Sequence, residues 1–151
     1  MHRRRTQRGV TLIELMIALV ILAILASIAI PSYRQYVLRS HRAEAQSALL
    51  ALAAAQEKHY LNCNTYTEDL ESAADAAGCD DRGLGLLDSD DDAAGVQSGN
   101  GWYTIEVTEA DTDTFTITAT ATGTQADDAD CSEFGIDAAG ARTAENAECW
   151  R

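Results

Sequence analysis

The chain has 151 residues, with 11 Lys and Arg against 24 Asp and Glu and a formal net charge of −13, a size that suggests one modest domain plus an appendage. Such acidity repels phosphate backbones, so direct nucleic-acid binding through the bulk surface is not expected. Four of the basic residues, Arg3, Arg4, Arg5 and Arg8, crowd the first nine positions; without them the remainder carries 7 basic residues and a net charge of −17.

The first pattern in chain order is a polar leader closed by Gly9 and followed at once by an apolar run. Leu12 to Ile30 contains twelve Leu, Ile or Val residues, with Glu14 and Ser27 as polar interruptions. Val10 to Ile30, 21 residues, would span about 31 Å as a helix, enough for a bilayer core. Twelve such residues favour insertion by about 5 kcal/mol, while one carboxylate at the centre costs about 3 kcal/mol and less near an end, so insertion wins. The arginines ahead of the run put the N-terminus in the cytoplasm and the rest of the chain across the membrane, where disulfides form. An ordinary secretory signal would place a small-residue cleavage site after the run; "ILASIAIPSY" supplies little for one.

Gly9-Val10-Thr11-Leu12-Ile13-Glu14, with a short basic leader before it and a long apolar helix after it, resembles the type IV prepilin signature of pilins and pseudopilins. The resemblance implies that a prepilin peptidase and N-methyltransferase cuts between Gly9 and Val10 and methylates the new amine of Val10. It also implies that the apolar helix is retained as a filament core, and that Pro31 is the family's helix-kinking proline. Val10 departs from the usual Phe. "CSEFGIDAAGARTAENAECW", Cys131 to Trp150, is similar to the disulfide-closed end of a minor pilin of the PilE kind. In this frame Glu14 acquires a role. A carboxylate in hydrocarbon needs a partner, and its own chain's amine cannot fold back onto it along a helix. The amine of a neighbouring subunit can reach it, and a buried ion pair of that sort fixes register.

Pro31 lacks an N–H and clashes with the preceding turn, so a kink or local melting is expected there. Helical spacing then resumes. Val37, Ala45, Ala48, Leu49, Leu52, Ala53, Gln56 and Tyr60 form one stripe, with Arg39, Arg42, Glu44, Gln46 and Glu57 opposite. The helix is expected to run to His59 or Tyr60, stopped by Asn62 and Asn64. Arg34, Arg39 and Arg42 read as contacts to anionic lipid headgroups before assembly, or to a neighbour's acidic head in a fibre.

Residues 61 to 100 read as an irregular connection. Alternation follows: Tyr103, Ile105 and Val107 share one face, as do Phe115, Ile117, Ala119 and Ala121, with "TEADTD" as a hairpin loop, and "SEFGID" supplies a third strand with Phe134 and Ile136 inward. A sheet with one apolar face needs a cover, which the amphipathic helix provides. The four cysteines, Cys63, Cys79, Cys131 and Cys149, form no Cys-x-x-Cys pair and allow three pairings. The sequential pairing is the expectation, each loop of roughly 16 to 19 residues contributing about 3 kcal/mol.

Asp88, Asp90 and Asp92 have calcium-loop spacing, but Ala93 and Gly99 stand where a glycine and a bidentate glutamate belong, so a solvated loop is the reading. Asp127, Asp128 and Asp130 read as a charged turn. His41 and His59 form no ligand set and no serine is oriented for a triad, so neither a metal, a cofactor nor an enzyme is expected. The expected fold is α+β, the type IV pilin fold: leader 1–9, transmembrane and filament-core helix 10–30, amphipathic continuation 31–60, soluble head 61–151. The expected function is a minor pilus subunit held in the bacterial inner membrane with a periplasmic head, then assembled into an extracellular fibre for twitching motility, adhesion or DNA uptake. Its partners would be the peptidase, the lipid bilayer, the inner-membrane assembly machinery and other pilin subunits. The alternatives are a type II secretion pseudopilin and a membrane-anchored periplasmic binding protein.

Overall fold

The computed structural model describes residues 10–72, 74, 78–79, 82–86 and 95–151. They fall into two compact units, one ending at Val37 and the other running from Leu38 to Arg151. Helix α1, Leu12–Cys63, has 52 residues and contributes to both. Its first turn is capped by Thr11, whose Oγ1 accepts the Glu14 N–H at 3.3 Å. Its end is set by Asn64, which takes a left-handed φ of 53° and donates its N–H to the Tyr60 carbonyl at 2.8 Å, a backbone conformation that Asn tolerates better than most residues. The helix continues through Pro31 rather than melting there; the missing N–H removes one helical hydrogen bond and leaves the others along the segment in place.

In the first unit α1 is apolar from Leu12 to Ile30 but for Glu14 and Ser27, and the helix is long and hydrophobic enough to cross a membrane. In the second it buries a stripe at alternating three- and four-residue steps, Arg42, Ala45, Leu49, Leu52, Gln56 and His59, the spacing that keeps one helix face against a single surface.

That surface is an antiparallel meander of five strands in sequence order: β1 Val96–Gln97, β2 Tyr103–Ala110, β3 Phe115–Ala121, β4 Glu133–Asp137 and β5 Arg142–Ala144. The three longer strands occupy the stretches whose alternation predicts them, except that β2 runs on through Thr108, Glu109 and Ala110, which the sequence reading gives to the hairpin loop; the pairing of Glu109 and Ala110 with Thr116 and Phe115 extends it. Tyr103, Ile105, Phe115, Ile117, Ala119, Phe134 and Ile136 are buried in one cluster with Ala45, Leu49 and Leu52. Each large side chain in it contributes about 1.5–3 kcal/mol by leaving water. A bulge falls between Val107 and Glu109, where Thr108 is skipped in the pairing register while its hydroxyl donates to the Thr116 carbonyl at 3.3 Å. It reverses the alternation, so the apolar face of β2 ends at Val107, which is only half-buried. β1 corrects the reading of 61–100 as wholly irregular, and β5 was not expected; both are too short for a two-residue period to show.

Gly135 of β4 pairs with Thr118 of β3. A Cβ there would sit 2.4 Å from the Ile117 carbonyl oxygen, so only glycine permits this strand approach. The disulfides join Cys63 to Cys79 and Cys131 to Cys149, closing loops of 16 and 18 residues. With its long N-terminal helix, small antiparallel sheet and disulfide-closed C-terminal region, the chain has the α+β architecture that the sequence resemblance implies.

Candidate functional site

Two regions carry the residues singled out from sequence. The first is the N-terminal part of α1. Every Leu, Ile, Val and Met side chain from Val10 to Ile30 is at least 53% exposed, a large apolar surface that a monomer in water would not leave uncovered. Glu14 stands in the first turn of this rod. Thr11 and Glu14 occupy the first and fourth places of a capping box, Thr-x-x-Glu, in which the threonine hydroxyl satisfies an otherwise unpaired amide at the helix start. The spacing in "TLIE" thus gives Glu14 a second reason for its position besides its charge. Gly9, the residue before the expected cleavage point, and the leader arginines lie outside the described residues, as do Asp88, Asp90 and Asp92.

The second region is the head from Leu38 onward. Here the expected outward-facing Arg42 is buried. Its guanidinium donates to both oxygens of Asp128, Nε to Oδ2 at 2.7 Å and Nη2 to Oδ1 at 2.6 Å, and both side chains are more than nine-tenths buried. The hydrogen bonds it donates to Asp128 lift the arginine's pKa further above its already high value, despite the opposing effect of burial. Asp128 is therefore not part of a solvated charged turn, and Arg42 is not a lipid or inter-subunit contact. A periodic pattern places a charge outside by default; only a partner 86 positions away in sequence overturns that. Arg34 and Arg39 remain on the exposed side of the helix.

Around this pair runs a polar network that ties α1 to the 3₁₀ segment Gly123–Asp127. The fully buried Gln125 donates its amide to the Tyr103 hydroxyl at 3.0 Å and to Asp128 Oδ2 at 3.1 Å. Its Oε1 accepts from His41 Nδ1 at 2.7 Å, which fixes the imidazole tautomer with that nitrogen protonated. His41 in turn stacks on Trp102, ring centres 4.2 Å apart and planes 8° from parallel. Tyr103 donates its own hydroxyl to the Cys131 carbonyl at 3.2 Å, and burial raises its pKa. Gln46 donates to the Cys149 carbonyl at 2.7 Å, so both halves of the C-terminal disulfide are held by side chains of the helix or of the strand beneath it.

Farther along α1, Gln56 makes two bonds with the Thr67 backbone, donating to the carbonyl and accepting from the amide at 3.1 Å. His59 is buried with its ring nitrogens 2.8 Å from the Thr65 carbonyl and 3.0 Å from the Arg82 carbonyl. His41 and His59 thus serve the packing of the head. Among the described residues no group of His, Cys, Asp or Glu is arranged as a metal-ligand set.

The two regions thus offer an exposed apolar helix with one acid in its first turn and a small disulfide-closed head. Comparison with known proteins agrees. Residues 4–30 match the family model of the prokaryotic N-terminal methylation motif, and residues 31–135 match that of the type IV minor pilin ComP, DNA uptake sequence receptor. The type IV major fimbrial protein FimA of Dichelobacter nodosus is 35% identical over 97 residues, 62% of this chain and 61% of that protein. The type IV major pilin protein PilE of Neisseria gonorrhoeae is 39% identical over 71 residues, 47% of this chain and 42% of that protein, and the PilA major pilin of Myxococcus xanthus is 44% identical over 61 residues, 40% of this chain and 28% of that protein. The chain spans less than two thirds of the length of these curated relatives. By its methylation motif, its fold and a match covering more than half its length, the chain belongs to the type IV pilins, in the family described as the minor pilin ComP.

Proposed function

We propose that this chain is a minor subunit of a type IV pilus, and that its mechanism is the lateral packing of apolar helices. A prepilin peptidase removes residues 1–9 by cutting between Gly9 and Val10 and methylates the Val10 amine. Before assembly the segment 10–30 spans the inner membrane with its N-terminus cytoplasmic and its head periplasmic. The assembly machinery then moves it into an extracellular fibre, where Glu14 meets the amine of a neighbouring subunit. The observation that supports this reading is the exposed apolar surface from Val10 to Ile30, interrupted near its start by the single carboxylate of Glu14. Such a surface is stable in lipid or in a bundle of like helices, and the carboxylate favours whichever environment offers it a cation.

Intact mass of the protein recovered from membranes tests the processing step. The expected value is that of the chain lacking its first nine residues and carrying one added methyl group; a full-length mass with an unmodified methionine end overturns the reading.

The description of the family model supports a second reading, contact with DNA during uptake. From Leu38 on, six basic residues face 23 acidic ones, and Arg42 among them is already occupied by Asp128. General electrostatic attraction is therefore weak, and the pilus reading expects no salt-dependent gain in anisotropy when the processed protein is titrated into a labelled duplex. Binding that weakens steeply as salt is raised would favour the DNA reading.

A further inference from the structure

The turn between β1 and β2 contains the dipeptide Asn100-Gly101, the sequence in which an asparagine most readily loses ammonia, because the glycine that follows puts no side chain in the way of its own nitrogen. Asn100 is exposed to water. Gly101 has a φ of +73°, so the turn requires glycine there and retains the reactive pair for structural reasons. We propose that Asn100 is a deamidation site guarded by Glu44 of α1, and that its conversion to an acid releases this turn from the helix.

The guard is a two-point clamp. Glu44 Oε1 accepts the Asn100 backbone N–H at 2.6 Å and Oε2 accepts from the side-chain amide Nδ2 at 2.7 Å. A third bond ties down the nucleophile: the Gly101 N–H donates to the Ser98 carbonyl at 2.7 Å. In the reaction the Gly101 nitrogen attacks Asn100 Cγ, forming the N–Cγ bond. The Cγ–Nδ2 bond breaks, Nδ2 leaves as ammonia with the proton from the Gly101 nitrogen, and the succinimide is opened by water to aspartate or isoaspartate. Attack therefore has to break the bond to Ser98 and move the amide away from Glu44. The charge-assisted bonds to Glu44 stabilise the unreacted amide, and an ionised Glu44 has no proton to give the departing nitrogen.

After hydrolysis the same clamp works in reverse. The amide donor becomes a carboxylate directly opposite the Glu44 carboxylate, and two like charges at hydrogen-bond distance repel. Isoaspartate also inserts an extra backbone carbon into a turn closed by the Gly101–Ser98 bond. The turn leads straight into Trp102, which stacks on His41, so its release is readable in tryptophan emission. The inference stands independently of the pilus reading.

The test uses the full chain in detergent, incubated at mildly alkaline pH and physiological temperature, with peptide mass mapping of Asn62, Asn64, Asn100 and Asn146. Wild-type Asn100 should gain the mass of an amide-to-acid change more slowly than the same residue in the synthetic peptide Ser98–Tyr103. Glu44→Ala should speed that gain by roughly ten- to a hundredfold, the weight of a hydrogen bond to a charged group. Glu44→Gln, which keeps one acceptor, should fall between and serves if the alanine variant does not fold. Asn100→Asp should reproduce the aged protein's tryptophan spectrum. Equal rates in wild type, Glu44→Gln and free peptide would overturn the guard, and an Asn100→Asp spectrum identical to that of the unaged wild type would overturn the release.

Discussion

The two halves of α1 are made of the same secondary structure and bury themselves by opposite strategies. From Val10 to Ile30 the helix exposes hydrocarbon on every side and carries one charge. From Leu38 to Cys63 it buries a narrow stripe that includes an arginine, a glutamine and a histidine, each with partners in its own chain. The first half is complete only in an apolar medium or among copies of itself; the second is complete within one subunit. Polar groups sit where a unique fit is needed, since a buried pair specifies one arrangement more than it adds stability. In the head that fit is intramolecular and visible. In the rod it is proposed to be intermolecular, through Glu14.

Substitution of Glu14 should separate the halves most sharply. Glu14→Ala should leave insertion and head stability unchanged and lower incorporation into fibres by about a hundredfold or more, because a buried charge left without its partner costs about 3–5 kcal/mol. Quantitative blotting of sheared fibres against membrane fractions measures it, and unaltered incorporation would show that the rod needs no polar register. A Thr11→Ala control removes the cap while keeping the acid, costing about 1 kcal/mol of helix-end stability, and so tells whether Glu14 acts through its charge or through the capping box.

Asp128→Ala is the corresponding break in the head. It strands Arg42 in a site with little solvent and deprives Gln125 of an acceptor. The expected loss is about 3–5 kcal/mol, read as a lower denaturation midpoint of the head with membrane insertion intact. The paired change Arg42→Met with Asp128→Leu should recover most of it, since apolar groups of similar volume replace a buried pair at little cost. If Asp128→Ala alone is neutral, the pair is not what fastens the helix to the 3₁₀ segment.

These contrasts also divide what was legible in the sequence from what was not. The apolar rod, the position of Glu14 and the strands around Ile105, Ile117 and Phe134 declare themselves through local composition and period. Arg42 and Asp128 do not, because each is ordinary on its own and the energy lies in their meeting across 86 residues. Thr108 adds one residue to a strand, and alternation alone cannot show where the phase will slip. The strands Val96–Gln97 and Arg142–Ala144 are recruited by the edges of a sheet that already exists, so their own residues carry almost no signal.

The smallest expected effect concerns pH, and it too distinguishes the halves. Burial tends to raise the pKa of Glu44, but the hydrogen bonds from Asn100 outweigh it and hold the carboxyl below its usual value. Asp69 behaves alike, burial being outweighed by its bonds to Ser72 and Glu71. Asp111, fully in water, is lowered by the amides of Asp113 and Thr114 at 2.7 and 2.8 Å. A carboxyl whose pKa is lower in the folded than in the unfolded chain binds fewer protons when folded, so its contribution is complete above the unfolded value of about 4 and fades as pH drops through the folded value. The head's melting temperature should accordingly fall as the solution is taken from about pH 5 to about pH 3. Asp111→Asn keeps the turn's acceptor oxygen and removes the titration, so it should flatten that acid limb and slightly lower the neutral-pH midpoint, where the ionised carboxyl makes its full contribution. A limb of unchanged steepness would mean that the turn is closed by geometry alone and that the charge of Asp111 adds nothing to it.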